Sequence, residues 1–427
     1  MHAADPVFKS SGHKRREKIL LFLYRGIHWF SRLIPESQPM QLTEVRTRKD
    51  VRAFHQVPRI IYRNDKNWIS HLESDIEATF DPGKNPLFQS GEAIRWVLHD
   101  SGGQPIGRVA AFVNQQLAHT FAQPTGGLGF FECINDGRAA FMMFDHCRNW
   151  LQARGMEAMD GPINFGEKER FWGLMLEGFD QRPTYLLNYN PPYYRELFEA
   201  YGFQLFYNQY VYRLVTDVVL PEVLERKFER LMMARGFHFE HLDMKRIGKY
   251  TEDFRTIYNN AWGGTHKFFR PMTREEAEKT FLKMKDVIDQ ELIVFGYHED
   301  QPIAFLVAIP ELNQLFRYVN GRMDFPGKVK FLYHRWRGKA RTIQGLVFGT
   351  VPDYRNKGVE SGLIMTMREL VRRRGWYRDM YMNWIGDFNP KMIKILEHIG
   401  CTRAFRLATY RKHFREDAVF ERHPMLD

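Results

Sequence analysis

The segment with the most specific chemical signal is 355–359, which reads Arg-Asn-Lys-Gly-Val. Hydrophobic periodicity predicts a strand over 343–351 before it and an amphipathic helix over 359–374 directly after it. Backbone N–H groups in such a turn and at the start of the helix can bind an anion such as a pyrophosphate. Arg355 and Lys357 would add positive charge. The sequence has neither the spaced glycines of a dinucleotide-binding fold nor the Gly-Lys-Ser/Thr ending of a P-loop.

The elements that would position this segment occur twice, at an offset of about 200 residues. Residues 104–111 match residues 301–308, and each stretch follows an acidic turn and a hydrophobic run, the pattern of a β-hairpin. In each half the sequence then predicts a helix that ends at a glycine, a strand, a second helix that begins at an Asn-Pro pair, and a last strand. The predicted helix–strand pairs are 138–154 with 156–159 and 359–374 with 380–385. Two mixed α/β units are therefore expected, with a linker helix near 221–236.

The composition restricts the class of partner. The chain has 427 residues, a net charge of +11 and 15% aromatic residues. Its length suggests two or three domains, and its basic balance favours an anionic partner such as a phosphate-bearing cofactor or an anionic membrane. Nucleic acid is not expected, because zinc-finger spacing, an RNP-like aromatic motif and a long basic tail are all missing. The three cysteines lack metal-ligand spacing and suit a reducing cytosol, so no metal site is predicted.

Residues 1–38 predict an amphipathic helix. Residues 19–34 place a broad apolar face opposite Arg25 and Arg32, and five basic groups precede that face. The stretch is too short and too charged to span a bilayer, and it lacks the cleavage site of a secretory signal. Two interpretations remain open: a helix in the interface of an anionic membrane, or a helix docked on the protein's own core. The expected localisation is cytoplasmic, with peripheral contact to the inner membrane face under the first interpretation.

Further motifs extend over nearly the whole chain and resemble a bacterial tandem GNAT-fold acyltransferase family, which includes proteins assigned to ceramide synthesis. The resemblance covers roughly residues 40–415 and depends on the segments 129–133, 161–164, 176–179, 188–194 and 261–262. It implies an α/β fold with two tandem GNAT-like domains after the N-terminal helix. Residues 39–220 would form a degenerate domain on the acceptor side, and residues 236–415 an acyl-CoA-binding domain.

The resemblance also implies an N-acyltransferase with acyl-CoA as co-substrate, bound transiently, and an acyl carrier protein thioester as an alternative donor. The pantetheine arm would lie where the strand before the turn separates from its neighbour near residues 382–385. The residues expected to bind the donor are Val351, Arg355, Asn356, Lys357, Gly358, Val359 and Asn389.

Three residues are candidate general bases, because the reaction needs a neutral amine. Asp387 follows the strand that would flank the thioester, although an N-cap or turn role is also open. His266 lies in a Gly-rich loop that could cover the site, but an exposed loop histidine is common. Glu132 ends a strand of the first half and could equally be a half-buried acid paired with an arginine.

Acceptor contacts are expected from polar and aromatic residues at strand ends of the first half and from one tryptophan of the second. Turn capping is the alternative role for the asparagines, and packing at a helix start for the tyrosines. The expected acceptor residues are Asn164, Asn188, Tyr189, Asn190, Tyr193 and Trp262.

Two positions depart from the GNAT pattern. Glu360 stands where the pattern has Gly or Ala, and Leu396 stands where a tyrosine often protonates the leaving thiolate. The preferred prediction is acyl transfer to a hydrophobic primary amine, with a sphingoid base as the best candidate and ceramide or dihydroceramide as product. A soluble acetyltransferase of a small amine or protein lysine, and a non-enzymatic lipid-binding protein, are the alternatives.

Overall fold

A computed structural model of the protein describes residues 40–263, 271–284 and 287–425. The helix predicted over residues 1–38 and the candidate base His266 are therefore outside the described residues. Within the three described ranges, no helix combines the length and hydropathy needed to cross a bilayer.

The described strands form one mixed sheet. Seven strands come from the first half of the chain: β1 (Gln41–Glu44), β2 (Gly91–His99), β3 (Pro105–Asn114), β4 (Thr125–Cys133), β5 (Ala158–Gly161), β6 (Leu174–Glu177) and β7 (Gln204–Val215). Six come from the second half: β8 (Phe237–His241), β9 (Ile293–His298), β10 (Gln301–Pro310), β11 (Thr342–Thr350), β12 (Asp379–Gly386) and β13 (Thr402–His413).

Helices cover both faces of this sheet. In the first half they are α1 (Arg48–Ile61), α2 (Glu73–Phe80), α3 (Gln115–Ala118), α4 (Gly137–Gln152) and α5 (Tyr194–Tyr201). The linker forms α6 (Glu222–Met233). The second half adds α7 (Ile247–Trp262), α8 (Arg274–Met284), α9 (Asn313–Phe316), α10 (Phe325–Trp336), α11 (Val359–Arg374) and α12 (Pro390–His398). The predicted α/β class is confirmed.

The internal repeat is visible in the pairing of the strands. β4 pairs in parallel with β5 in the first half, and β11 pairs in parallel with β12 in the second. Each parallel pair is connected by a crossover helix, α4 or α11, as a parallel connection requires. All other described pairings are antiparallel.

The two halves exchange their last strands. The sheet order is β1-β2-β3-β4-β5-β13-β7-β12-β11-β10-β9-β8. β13 therefore pairs with β5 of the first half, and β7 pairs with β12 of the second. A buried ion pair secures the first of these contacts, because Arg411 on β13 donates to both carboxylate oxygens of Asp160 at 2.7 and 2.8 Å. Each half thus depends on the other for one strand of its sheet.

Candidate functional site

The turn that was predicted to bind an anion joins β11 to α11. Asn356 and Gly358 adopt left-handed backbone conformations with φ of 63° and 93°, and α11 begins directly after Gly358. Among the described residues, no side chain caps the start of this helix. The first N–H groups of a helix have no partner within it, so these donors are open to a ligand and carry the positive end of the helix dipole. A Cβ at Gly358 would lie 3.3 Å from the carbonyl oxygen of Lys227 on α6, and glycine avoids that contact.

The two basic side chains of the turn are placed differently. Arg355 donates from Nη2 to the carbonyl oxygen of Ala261 at 2.8 Å and from Nε to that of Thr350 at 3.3 Å. These bonds attach the turn to the end of α7 and to β11, while the residue stays exposed. Lys357 extends over Tyr354, with Nζ 5.0 Å from the ring centroid. Arg355 therefore orients the turn, and Lys357 contributes charge beside it.

The corresponding helix of the first half has its N–H donors already occupied. Asp136 caps α4 by accepting hydrogen bonds from the backbone N–H of Arg138 at 2.8 Å and of Ala139 at 3.3 Å. The capping carboxylate also places a negative charge where a phosphate would sit. The two equivalent helix starts therefore differ, and α11 is the one suited to an anion.

Beyond the turn, β11 and β12 separate. Their pairing ends at Gly345 and Met382, although β11 continues to Thr350 and β12 to Gly386. On its other side β11 has a bulge at Leu346, which the register against β10 leaves without a partner. β12 instead follows β7. The predicted separation of the two strands is therefore present, and it exposes backbone groups of β11 that have no partner on β12.

An apolar cavity of about 330 Å³ opens at this separation. Its walls come from β7, β10, β11, β12 and the two helices that follow β11 and β12, and most of them are Leu, Ile, Val and Met side chains. Leu396, at the position where the GNAT pattern has tyrosine, is one of the buried lining residues. The lining side chains of the two helices and of the residue after the second are Ile364, Met367, Arg368, Val371, Met392, Ile395, Leu396 and Ile399.

The equivalent space in the first half is filled by aromatic rings. Phe131 on β4 stacks on Phe144 of α4 with centroids 4.8 Å apart, and Phe198 of α5 lies 4.9 Å from Phe144. All three rings are buried. Aromatic side chains packed at these separations leave no room for a ligand. The cavity is therefore a feature of the second half, in which the start of α11 is also uncapped.

Comparisons with known proteins agree with this geometry. No protein-family model matches the chain. The protein named bacterial ceramide synthase from Caulobacter vibrioides is 25% identical over 381 residues, covering 87% of this chain and 97% of that protein. The protein YghO from Escherichia coli is 24% identical over 373 residues, covering 86% and 93%. The resemblance drawn from the sequence is confirmed.

Solved structures identify the architecture. A tandem GNAT protein from the clavulanic acid biosynthesis pathway matches with a TM-score of 0.51 at 10% identity, covering 88% of this chain and 98% of its own. The chain has the tandem GNAT fold. A GCN5-related glucosamine N-acetyltransferase region in a fungal multi-domain GH3 β-N-acetylglucosaminidase gives a TM-score of 0.54 at 11% identity. That match covers 89% of this chain and 38% of the longer fungal one.

The candidate bases Asp387 and Glu132 do not line the cavity of the second GNAT unit. Asp387, at the end of β12, accepts hydrogen bonds from Asn208 at 2.8 Å and Arg422 at 2.6 Å. Glu132 is buried in the first unit, 3.4 Å from Arg108. Burial raises the pKa of Glu132 against the opposing effect of the Arg108 guanidinium. Both carboxylates thus have internal partners, and their catalytic roles stay predictions.

Four of the predicted acceptor residues hydrogen-bond to the protein itself. Asn190 accepts from the backbone N–H of Met175 at 2.6 Å, and Asn188 donates to the carbonyl oxygen of Gly173 at 2.6 Å. These two side chains fix the loop beside β6. The Tyr189 and Tyr193 hydroxyls donate at 2.7 Å to the Asp65 carboxylate and to the Cys133 carbonyl oxygen, respectively.

The other two predicted acceptor residues, Asn164 and Trp262, lie in different surroundings. Asn164 is buried, and none of the residues that the structure describes hydrogen-bonds to its Oδ1. Trp262, at the end of α7, packs against Phe305 with centroids 6.0 Å apart. A Cβ at Gly349 would lie 2.6 Å from the Trp262 ring, so this ring covers β11 close to the separation of the strands. Trp262 therefore packs against the end of β11.

The structure adds polar residues that the sequence did not single out. Gln344 donates from Nε2 to Asn383 Oδ1 at 2.9 Å, across the point where β11 and β12 part. The Oε1 atom of Gln344 is buried and has no hydrogen-bond partner within the described ranges. Glu169 reaches the cavity from the first unit, and the neighbouring Lys168 carbonyl oxygen accepts a hydrogen bond from Trp384 at 2.8 Å. No local pattern marks Glu169, because only the contact between the units brings its loop to the cavity.

Proposed function

We propose that the protein is an N-acyltransferase that moves a fatty acyl group from acyl-CoA to the primary amine of a long-chain lipid. The observation that carries the proposal is the apolar cavity at the separation of β11 and β12, which is lined in part by α11, the helix with the uncapped start. Similarity to a protein named bacterial ceramide synthase supports a sphingoid base as the acceptor.

The donor would bind with its pyrophosphate at the turn 355–359 and its pantetheine arm along the free edge of β11. The thioester then reaches the bulge at Leu346, and the acyl chain enters the cavity. One water molecule occupies about 30 Å³ in the liquid, and a methylene group is of similar size. The cavity therefore holds roughly ten methylene groups, which is far more than an acetyl group needs.

In the proposed reaction the amine nitrogen attacks the thioester carbonyl carbon and forms the amide bond. The C–S bond breaks, and the sulfur leaves as the CoA thiolate. The amine loses one proton overall, and the thiolate gains one from solvent, because Leu396 cannot supply it. We assign Glu169 as the base that accepts the proton lost by the amine, because it is the carboxylate that lines the cavity among the described residues. Free N–H groups of β11 beyond Gly345 would stabilise the oxyanion.

The decisive experiment incubates the purified protein with sphinganine and acyl-CoAs of graded length and detects N-acylated product by mass spectrometry. We expect product with long-chain donors and little with acetyl-CoA. Acetylation of short polar amines alone would favour the soluble acetyltransferase. Absence of thiol release with every donor would favour a lipid-binding protein without activity.

Two variants test the assigned roles. Arg355→Glu should raise KM for acyl-CoA by tenfold or more, because it reverses the charge and releases the turn from Ala261 and Thr350. Glu169→Gln should lower kcat roughly 10²-fold with little change in KM, as expected for the loss of a general base. Glu167→Gln on the same exposed loop is the matched control. Equal losses in the two glutamate variants would remove Glu169 from the mechanism.

A further inference from the structure

Helix α10 exposes an unusually apolar face to solvent. Phe325 and Trp336 are each 80% exposed, and three further large apolar side chains lie between them. Single exposed apolar residues are common, but a contiguous group on one helix indicates an interaction surface. The five residues, termed here the α10 face, are Phe325, Val329, Leu332, Tyr333 and Trp336.

The α10 face points directly away from the protein. With about 3.6 residues per turn, its five positions fall within an arc of about 100°. The opposite side of the helix carries Gly327 and Phe331, both buried, and Phe331 stacks on Phe316 with centroids 5.5 Å apart. The apolar arc therefore belongs to a helix that is already anchored through its other side. It is not a core surface left open by a frayed element.

Positive charge borders the α10 face on both sides. The helical positions place Lys328 and Arg335 along one edge of the arc, and Lys330 and Arg337 along the other. Lys339 and Arg341 add more positive charge, and no Asp or Glu occurs between 325 and 342. In the part of the chain that the structure describes, Lys328, Lys330, Arg337 and Lys339 form no ion pair.

We propose that α10 docks the protein on an anionic lipid bilayer, with the α10 face inserted at the level of the lipid headgroups. Exposed Trp, Tyr and Phe beside lysine and arginine match that interface, where apolar parts enter the acyl region and cations contact anionic headgroups. A second copy of the chain fits less well, because two such cationic borders would face each other. None of the five residues of the α10 face belongs to residues 1–38, so the two segments can be tested separately.

Docking through α10 would place the membrane near the catalytic opening. The chain leaves α10 at Trp336 and enters β11 at Thr342. The buried cluster below α10, which includes Phe331 and Phe316, packs against Leu346 at the bulge of β11. Leu346 also lines the apolar cavity. A lipid amine could therefore pass from the bilayer to the opening over a short apolar path.

Vesicle pelleting with the full chain tests the proposal, using phosphatidylcholine vesicles with and without phosphatidylglycerol. Wild-type protein should pellet with the anionic vesicles. Phe325→Ser/Trp336→Ser should bind them at least tenfold more weakly. Lys328→Gln/Lys330→Gln should also lose at least tenfold, because each basic residue at an anionic surface is worth roughly fivefold in affinity. Both double variants replace exposed side chains, and circular dichroism verifies that they fold.

The matched control is Val219→Ser/Met233→Ser, which removes two apolar side chains that are each 84% exposed elsewhere. It should pellet like the wild type. Comparing all variants with and without residues 1–38 isolates the contribution of α10. Unchanged pelleting of the α10 variants in both backgrounds would overturn the proposal, as would a wild-type dimer that the α10 variants dissociate without any effect of lipid.

Insertion itself can be observed separately. Lipids with brominated acyl chains should quench part of the wild-type tryptophan fluorescence. Trp336→Phe keeps an aromatic side chain and should pellet nearly as well, but it should lose that quenching. Equal quenching in the two proteins would place α10 outside the bilayer. None of these readouts requires acyl transfer, so the membrane proposal and the proposed function can fail independently.

Discussion

Enlarging the side chain at position 396 should shorten the acyl chains that the protein uses. Leu396 is 6% exposed and lines the cavity on α12. Burying one methylene group contributes about 0.8 kcal/mol, so kcat/KM should rise about fourfold per added methylene until the cavity is full. With room for roughly ten methylene groups, the wild type should reach a plateau near that length.

Leu396→Phe adds about three heavy atoms and should displace about three methylene groups of the acyl chain. The initial slope with chain length should be unchanged, while the plateau comes about three methylene groups earlier. Donors that fill the wild-type cavity then lose about 2.4 kcal/mol, or roughly 60-fold in kcat/KM. Short donors should react as in the wild type. Leu396→Ala should move the plateau to longer chains.

The assay is thiol release from acyl-CoAs of increasing length at fixed amine concentration. Thermal unfolding of each variant measures the cost of overpacking, about 1–3 kcal/mol. The matched control Leu117→Phe makes the same exchange at a half-exposed position of the first GNAT unit and should leave the length profile unchanged. An equal loss at all chain lengths in Leu396→Phe, or a wild-type profile without length dependence, would refute the assignment of the cavity.

Three further outcomes are expected. Gly358→Ala should raise KM for acyl-CoA with little change in kcat, because alanine is strained at φ 93° and its Cβ approaches the Lys227 carbonyl oxygen. Initial-rate kinetics measure both constants. Arg411→Ala should lower the free energy of unfolding by about 3–5 kcal/mol in denaturant titrations, because it leaves Asp160 buried and unpaired. Burial lowers the pKa of His71 to about 4, so folding should lose up to about 3 kcal/mol as pH falls from about 6.5 to 4, and His71→Leu should flatten that dependence.

The sequence was most informative where local pattern decides the structure. The helix predicted over 359–374 is α11 as observed, and the strand predicted over 380–385 lies within β12. Both elements are bounded by glycine or by polar residues, and amphipathic periodicity fills the interval between these boundaries. The separation of β11 from β12 followed from the family resemblance, and the strand register confirms it.

Long-range features were not accessible in this way. β7 and β13 have similar lengths and similar patterns, so no local sequence pattern indicates that each strand pairs with the opposite half. The cavity is equally invisible, because it depends on side-chain volume that is missing between several elements. Even for Arg355, which the sequence predicted to bind the donor, the hydrogen bond that holds the turn depends on the carbonyl oxygen of Ala261 in another helix.

The two units differ at matched positions. Where α11 begins with an uncapped glycine, α4 begins with the capping carboxylate of Asp136. Where the second unit has an apolar cavity, the first has the stacked rings of Phe131 and Phe144. In the first unit internal contacts fill both places, which favours rigidity over binding. Because β13 completes the sheet of the first unit and β7 that of the second, we expect the removal of either unit to destabilise the other. Under the proposed mechanism, the first unit therefore serves as the wall that presents Glu169 to the cavity of the second.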